Sequence, residues 1–277
     1  MKATVLGASG FIGRNLVRHL QSAGYEVATP GRHEIENLGG PLGRVFYCIG
    51  MTGNFRDRPL GTVDVHAGLP GRLLEQTDFE SFVYFSSTRI YAQAAGSNET
   101  SETAPIAVTP SADTTYDLSK MLGEALCLSH EQAGVKVIRL SNVYGPDQGT
   151  ATFLGSLLED LAGTGQTTIR EAPGSSKDYV AVDDVVQLAE RIARTGRHRT
   201  YNVASGQPVS HEEIAEAVRN EGLSCTFTPG GVRRAFPQIN IERIRTEFGF
   251  SPRSLLKDLP ALLRAAGGNA AKSRVDS

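Results

Sequence analysis

The N-terminal part of the chain alternates between the hydrophobic spacing of strands and that of a helix. An apolar run at 3–6 stops at a cluster of glycines, and apolar residues between 11 and 20 then recur at helical spacing. Gly24 ends that segment, and a second apolar run follows at 25–28. A strand, a glycine-rich turn, a helix and a strand form a βαβ unit, so the pattern predicts the start of a parallel α/β sheet.

The same alternation continues up to Gly145, after which the pattern becomes mostly helical. The first part predicts buried strands at 44–49, 82–85 and 135–140, a helix around 69–74 and a long helix over 115–132. The second part predicts helices at 153–161, 183–193, 211–220, 239–248 and 255–264, with a short strand at 201–203.

Two segments have no hydrophobic period. The loop from Gln93 to Pro110 is rich in Ser, Thr, Ala and Pro. Long loops inside compact domains are often functional, so this loop is a candidate lid. The last residues, 267–277, are small, polar and rich in Gly and Ala, which predicts a flexible tail.

Composition narrows the class of protein. The formal net charge is −2 and no basic stripe with interleaved aromatic residues is visible, so nucleic acid is not an expected partner. Cys48, Cys127 and Cys225 are far apart, which indicates neither a disulfide framework nor a metal site. The N-terminus does not have the pattern of a signal peptide, and no apolar run is long enough to span a membrane. A cytoplasmic enzyme without a metal is the expectation.

The glycine cluster, GASGFIG at 7–13, lies between the first strand and the first helix. In this context the first glycine permits a tight turn, the second lets the main chain approach a pyrophosphate, and the third allows close packing of helix on strand. The free N–H groups of the helix N-terminus then face the phosphates. The turn predicts a dinucleotide site that includes Gly7, Ser9, Gly10, Phe11, Ile12 and Gly13.

The end of the second strand bears on the choice between NAD and NADP. An acidic residue there usually holds the ribose 2′-hydroxyl, whereas a basic residue accommodates a 2′-phosphate. The segment at 27–33 has no acid at its tip, and it contains Arg32. The sequence favours NADP over NAD, with Arg32 as a cofactor contact or, alternatively, as a solvated loop arginine.

Acid–base chemistry is indicated by Tyr116 and Lys120, which are spaced to share one helix face. A lysine cation near a phenol favours the phenolate and lowers the tyrosine pKa. Such a tyrosine can exchange a proton with a carbonyl or an alcohol while a nicotinamide exchanges hydride. Ser87, at the end of a predicted strand, can hydrogen-bond the reacting oxygen.

Taken in order, these segments resemble the extended short-chain dehydrogenase/reductase family, which includes nucleotide-sugar epimerases, dehydratases and ketoreductases. The resemblance covers residues 1 to about 260. It is carried by the glycine turn and by SSTRIY at 86–91, YDLSK at 116–120, RLSNVYGP at 139–146, KDYVAVDD at 177–184 and YNVASG at 201–206.

The resemblance implies a role for individual residues. Tyr116 would be the catalytic acid/base, Lys120 would lower its pKa and bind the nicotinamide ribose, and Ser87 would be the catalytic hydroxyl. Asn142 would contact a nucleotide-sugar substrate. Arg234, or its neighbour Arg233, would reach the substrate diphosphate, a task that suits the arginine fork.

Three departures from the family pattern are visible. Too little chain separates Arg32 from Arg44 for a complete strand and helix, so the third strand is expected to be abbreviated. Thr88 and Arg89 follow Ser87 where sugar 4,6-dehydratases have an Asp-Glu pair, which disfavours β-elimination. Lys177 stands where the family usually has arginine.

The expected fold is α/β: a Rossmann-like, doubly wound, mostly parallel sheet with a small mixed C-terminal substrate-binding lobe. Residues 1–145 with 178–203 would form the NAD(P)-binding domain, and 146–177 with 204–266 the lobe. The long helix that carries Tyr116 also has an apolar stripe, which predicts a homodimer or, equally well, packing within one subunit.

The leading hypothesis is an oxidoreductase acting on a nucleotide-activated sugar, either a 4-ketoreductase or an epimerase. The first alternative is a reductase of a small ketone or aldehyde without a nucleotide. The second is a non-catalytic NAD(P)-binding sensor on the same fold, since a fold alone does not fix a function. The co-occurrence of Ser87, Tyr116 and Lys120 favours an enzyme.

Overall fold

The centre of the protein is a six-stranded parallel sheet with the order β2-β1-β3-β4-β5-β9. The computed structural model describes residues 1–35, 37–51, 53–93, 99–234 and 236–273, with side chains described as far as 267. The strands are β1 Lys2–Leu6, β2 Glu26–Ala28, β3 Arg44–Tyr47, β4 Ser81–Ser87, β5 Val135–Leu140, β6 Asn142–Tyr144, β7 Gln166–Ile169, β8 Ser176–Ala181, β9 Thr200–Val203, β10 Pro208–Ser210 and β11 Ser224–Phe227.

Helices cover both faces of this sheet. They are α1 Phe11–Ser22, α2 Arg32–Ile35, α3 Pro59–Val63, α4 Leu69–Gln76, α5 Thr115–Ser129, α6 Phe153–Thr164, α7 Val182–Thr195, α8 His211–Asn220, α9 Glu242–Phe248 and α10 Leu255–Ser273. Successive residues of a strand point to opposite faces of the sheet. Phe46 belongs to the same buried cluster as Leu16 of α1, whereas Tyr47 belongs to the cluster on the other face, with Leu73 of α4. The doubly wound α/β fold predicted from the sequence is confirmed.

The connection between β2 and β3 is short, as the sequence predicted. It contains α2, a single helical turn, and no strand among its described residues. As a result β2 lies at the edge of the sheet, and β1 lies between β2 and β3. The carboxyl end of β1 therefore opens at the point where strand order reverses, which is where doubly wound sheets bind ligands.

One expectation about the sheet is wrong. Residues near Asp178 were expected to rejoin the main sheet, but β8 instead lies between β6 and β10 in a separate three-stranded sheet. Only β9 completes the main sheet, next to β5. β8 thus contributes side chains to the cores of both the main sheet and the C-terminal lobe. The assignment of 178–203 to the NAD(P)-binding domain stays a prediction.

The C-terminal lobe has its own apolar core. Leu157 and Leu161 of α6, Ile214 of α8 and Leu259 of α10 belong to one buried cluster. The parallel pair β7 and β11 borders it. These strands were absent from the sequence-based expectation, because their sequences, QTTI and SCTF, are short and mostly polar.

The C-terminal helix is longer than expected. α10 continues to Ser273, whereas a flexible tail was expected from Gly267. Alanine-rich sequence has a high helix propensity, which accounts for the continuation. Residues 274–277 of the expected tail lie outside the described residues.

Part of the candidate lid at 93–110 is anchored, and part of it (94–98) lies outside the described residues. The Thr100 hydroxyl donates to the Gln238 carbonyl at 2.7 Å and accepts from the Asn240 N–H at 2.8 Å. The Glu102 carboxylate accepts from the Asn202 N–H at 2.9 Å. These bonds argue against movement of the segment around Thr100 and Glu102 as a lid.

Across the described parts of the chain, no helix is both long enough and apolar enough to cross a membrane.

Candidate active site

The glycine turn needs glycine at two positions for its backbone conformation and for the packing of α1. Gly7 has φ +87°, a left-handed conformation that favours glycine. A Cβ on Gly13 would lie 2.1 Å from the Gly7 carbonyl oxygen, so α1 could not pack on the turn with a larger residue there. Gly10 is the residue that precedes α1, and no side chain caps that helix. The first N–H groups of α1 are therefore available to a phosphate, and the turn fits a dinucleotide.

Ser87 and Tyr116 meet at the carboxyl end of β4. Both side chains line the same cavity, and hydrogen bonding to Ser87 lowers the pKa of Tyr116. The neighbouring Ser86 lies on the other side of the strand, where its hydroxyl donates to Glu124 at 2.5 Å. The alternation of the strand thus selects Ser87, and not Ser86, as the hydroxyl that serves the tyrosine.

Lys120 is fixed one helical turn from Tyr116 and is buried. Its ammonium donates to the Phe85 carbonyl at 2.8 Å and lies 5.0 Å from the centre of the Tyr84 ring. Burial lowers the pKa of Lys120 to about 8, although the Glu124 carboxylate opposes this shift. The lysine is consequently charged at neutral pH and loses its charge in the mildly alkaline range.

The electrostatics around Tyr116 differ from the sequence-based expectation. Burial raises the pKa of Tyr116, and the opposing influences come from the Ser87 hydrogen bond and the Arg89 charge. In the protein without cofactor, Lys120 is not among the groups that shift this pKa. A buried phenol with a raised pKa is protonated at neutral pH and can act as a proton donor.

Arg89 is a charged neighbour of Tyr116 that sequence reasoning considered only as a departure from the dehydratase pattern. Its guanidinium lies 5.3 Å from the centre of the Tyr116 ring and 3.2 Å from the Asp117 carboxylate. Burial raises the pKa of Asp117 to about 6, and Arg89 counteracts that shift. The position therefore holds a cation and not the carboxylate of an elimination catalyst.

One cavity of about 730 Å³ joins the glycine turn to these side chains and to the C-terminal lobe. Its walls include Gly10, Phe11, Ile12 and Gly13 of the turn, the trio Ser87, Tyr116 and Lys120, and Asn142, Phe153, Glu171, Lys177 and Arg234 from the other side. This volume is typical of ligand sites.

The substrate-side residues are held in different ways. Asn142 donates through its amide to the Asp178 carbonyl at 2.8 Å. Arg234 lines the cavity and its side chain is mostly exposed, whereas Arg233 donates to the Gly174 carbonyl and is not part of the wall. The structure therefore brings Arg234, of the two neighbours, to the cavity.

Three of the residues expected to bind cofactor are not in the cavity wall. Gly7 is the half-buried first residue of the turn, Ser9 is exposed in the turn, and Arg32 is exposed at the start of α2. β1 and β2 are parallel neighbours, so Arg32 and the glycine turn both lie at the carboxyl end of the sheet. Its contact with a cofactor stays a prediction.

Lys177, Glu171 and His211 form a cluster of ionisable side chains that the sequence analysis did not assign. Glu171 Oε1 lies 3.7 Å from Lys177 Nζ, and Glu171 Oε2 lies 3.8 Å from His211 Nε2. The His211 ring stacks on Phe153 with centroids 4.3 Å apart. The KDYVAVDD segment pointed to Lys177, but no local signal could connect it with residues so distant in sequence.

The comparisons with known proteins agree with this geometry. A model of the NAD dependent epimerase/dehydratase family matches residues 3–40 and 42–204. The chain belongs to this family. The expectation of an NAD(P)-dependent epimerase/reductase-type enzyme of the extended short-chain dehydrogenase kind is thereby confirmed.

Individual similarities are more distant. A dTDP-4-dehydro-6-deoxy-D-allose reductase from Streptomyces bikiniensis is 28% identical, over 77% of this chain and 79% of the relative. The structure of MoeE5 in complex with UDP-glucose and NAD has a TM-score of 0.81 at 22% identity and covers 100% of both chains. RMD from Pseudomonas aeruginosa, complexed with NADPH, has a TM-score of 0.79 at 24% identity and covers 96% of this chain and 100% of its own. These structures establish that the fold is shared.

Proposed function

We propose that this enzyme is a 4-ketoreductase of a nucleotide-activated sugar and that NADPH is its reductant. The observation that carries the proposal is the cavity that joins the glycine turn, the Ser87–Tyr116–Lys120 trio and the Lys177 cluster. The similarity to the Streptomyces reductase supports a keto sugar as substrate. Arg89, at the place where dehydratases have an acid, supports reduction over elimination.

The reaction needs a hydride and a proton. A bound reduced nicotinamide would supply the hydride to the carbonyl carbon. Tyr116 donates its phenolic proton to the carbonyl oxygen, which becomes the hydroxyl of the product. The raised pKa of Tyr116 suits this direction, because the phenol carries its proton at neutral pH. Ser87 orients the same oxygen by hydrogen bonding.

The remaining residues hold the two ligands. Gly10, Phe11, Ile12 and Gly13 would contact the pyrophosphate of the cofactor, and Lys120 its nicotinamide ribose. Asn142 would bind the sugar nucleotide. Lys177 and Arg234 would face its diphosphate, where arginine can form paired hydrogen bonds and lysine acts as a point charge.

The choice of NADPH rests on Arg32 and on the absence of an acid at the end of β2. Fluorescence titration of nucleotide-stripped protein with NADPH and NADH tests it, with Arg32→Ala as the variant. Tighter binding of NADPH, lost in Arg32→Ala while NADH affinity is unchanged, is the expected result. A preference for NADH that resists stripping would instead indicate an epimerase with a retained NAD.

Turnover is tested by following NADPH oxidation with a panel of 4-keto nucleotide sugars. Tyr116→Phe serves as the control, because it removes the proton donor without removing the ring. Reduction of simple ketones in preference to every nucleotide sugar would contradict the proposed substrate class. Binding of cofactor with no turnover of either class would indicate the sensor.

We also propose a homodimer formed through α5 and its neighbours. Leu122 and Leu126 on α5 and Leu60 on α3 expose large apolar surfaces, with Leu60 at 85%. α5 packs against α3 and α4, so these side chains belong to one side of the protein. Sedimentation of wild type and Leu122→Arg tests the interface; a monomeric wild type would contradict it.

A cytoplasmic location of the enzyme stays a prediction.

A further inference from the structure

His66 is a buried histidine beside the catalytic residues that the proposed chemistry does not use. It lies in a π-helical turn, Asp64–Gly68, between α3 and α4, and its side chain is fully buried. π-helical turns are rare and are often found at functional sites.

Each ring nitrogen of His66 has one partner. Nδ1 lies 2.8 Å from the Ser119 hydroxyl, and that hydroxyl donates to the Tyr116 carbonyl at 2.9 Å. Because the serine proton is used, Ser119 accepts from His66, and Nδ1 carries the hydrogen. Nε2 accepts from the Met51 N–H at 3.1 Å. These contacts require the neutral imidazole with its proton on Nδ1.

The two partners of His66 belong to different segments, each of which has neighbouring residues in the cavity wall. Met51 follows Gly50, which lines the cavity after β3. Ser119 lies on α5, next to Lys120 and one turn from Tyr116. The two segments approach closely, since a Cβ on Gly50 would lie 3.7 Å from both His66 Nε2 and Lys120 Nζ.

The ring and the carbonyl of His66 add two further contacts. The edge of the imidazole meets the Tyr116 ring at an interplanar angle of 87°, with centroids 5.1 Å apart. The His66 carbonyl accepts from the Tyr84 hydroxyl at 2.7 Å. The imidazole is therefore enclosed by the groups that it connects.

We propose that His66 is a positioning residue, whose neutral imidazole fixes the loop after β3 against the face of α5 that carries Tyr116 and Lys120. The inference rests on the proposed function. A histidine suits this place because one rigid ring presents a donor and an acceptor to the two segments. Burial, with a further contribution from the Lys120 charge, lowers the pKa of His66 to about 2, so the ring stays neutral at working pH.

The two ends of the bridge can be cut separately. His66→Asn keeps an amide donor for Ser119 but is too short to accept from Met51, so we expect NADPH to bind about tenfold more weakly, as for one lost hydrogen bond. Ser119→Ala keeps the hydrogen bond between His66 and the Met51 N–H but removes the one between His66 and α5. We expect kcat to fall about tenfold in that variant with little change in NADPH affinity.

A merely structural role predicts a different result. If both variants lower the melting temperature and leave NADPH affinity and kcat unchanged, the positioning role is wrong. The positioning role is also wrong if His66→Asn lowers only kcat and Ser119→Ala weakens only NADPH binding. In the double variant with His66→Ala, removal of Ser119 should lower kcat no further; additive losses would overturn the proposal.

Nitrogen-15 NMR of the wild-type imidazole tests the tautomer without any turnover. One neutral form protonated on Nδ1, unchanged from pH 5 to pH 8, is the expected result; a charged ring or the other tautomer would overturn the inference. If wild type reduces no nucleotide sugar, the proposed function fails, whereas the NMR signal and the NADPH affinities still decide the role of His66.

Discussion

The two ends of the cavity differ in how far the protein satisfies its own polar groups. At the catalytic end, Lys120 donates to a carbonyl, Tyr116 bonds to Ser87, and His66 uses both ring nitrogens. At the lobe end, the side chains of His211 and Gln148 and the Oε2 atom of Glu171 are buried and have no hydrogen-bond partner among the described residues. At the catalytic end Asp117 Oδ1 also lacks a hydrogen bond, but it lies 3.2 Å from the Arg89 guanidinium.

From this difference we infer that the catalytic end is preorganised and that a ligand would complete the lobe end. Buried polar groups without partners are costly, so natural proteins retain few of them and usually for a reason. The catalytic end must hold its geometry before substrate arrives, because small displacements of reacting groups cost rate. The lobe end can gain its missing partners from the substrate itself.

The largest expected effect is at the catalytic end. Tyr116→Phe removes the proton donor, and we expect kcat to fall about 10²- to 10⁴-fold. NADPH affinity should stay within about twofold, because the ring that shapes the cavity remains. Stopped-flow turnover and fluorescence titration measure the two quantities. Turnover at the wild-type rate would refute the assigned role.

At the lobe end we expect a loss of binding and not of chemistry. Lys177→Ala removes a charge that faces the cavity, and KM for the nucleotide sugar should rise about 10- to 100-fold, as for a lost charge-assisted hydrogen bond. kcat should change little, since the side-chain contacts of Lys177 are with Glu171 and Phe153 and not with the trio. Lys257→Ala, at an exposed lysine of α10, is the matched control. A fall in kcat without a rise in KM would show that Lys177 acts in the chemical step, and the proposed division into a catalytic end and a binding end would be wrong.

The pH dependence belongs to the catalytic end. Lys120 is charged below its lowered pKa of about 8 and neutral above it. If the charge is required, kcat/KM falls as pH rises through about 8, tenfold per pH unit in the limit. Lys120→Arg keeps its charge in this range, so the alkaline limb should disappear from its profile, even at a lower overall rate. An identical limb in both proteins would assign the titration to another group.

The smallest expected effect is a rise in melting temperature when a nucleoside diphosphate binds at the lobe end. A nucleoside diphosphate at about 100 times its Kd stabilises the folded state by about 2.7 kcal/mol, which corresponds to roughly 5–10 °C in melting temperature for a protein of this size. UDP, dTDP, CDP and GDP are tested one by one. The shift should persist in Tyr116→Phe and shrink in Lys177→Ala at the same concentration. An equal shift in both variants would place the nucleotide elsewhere.

Sequence reasoning succeeded where residues close in the chain act together. The glycine turn, the YDLSK segment and the long apolar strands are each contained in one element, so their spacing already implies their geometry. The abbreviated third strand was equally visible, because the chain between Arg32 and Arg44 is too short for more. The family followed from the order of these segments.

Sequence reasoning failed where the contacts are non-local. It did not foresee that burial, Ser87, Arg89 and Asp117 would all shift the Tyr116 pKa, and the expected effect of Lys120 stays a prediction. It also expected the segment near Asp178 to rejoin the main sheet, although β8 pairs with β6 and β10. Periodicity shows which face of a strand is buried but not which strand lies beside it.

The sequence by itself determined the parallel α/β sheet and the place of the glycine turn, and it predicted the trio Ser87, Tyr116 and Lys120, because each depends on spacing within one or two neighbouring elements. Only the tertiary structure decided that His66 bridges Met51 and Ser119, and that Glu171, Lys177 and His211 meet. Those contacts join segments far apart in the chain. Packing, and not local pattern, sets burial and therefore charge at such places.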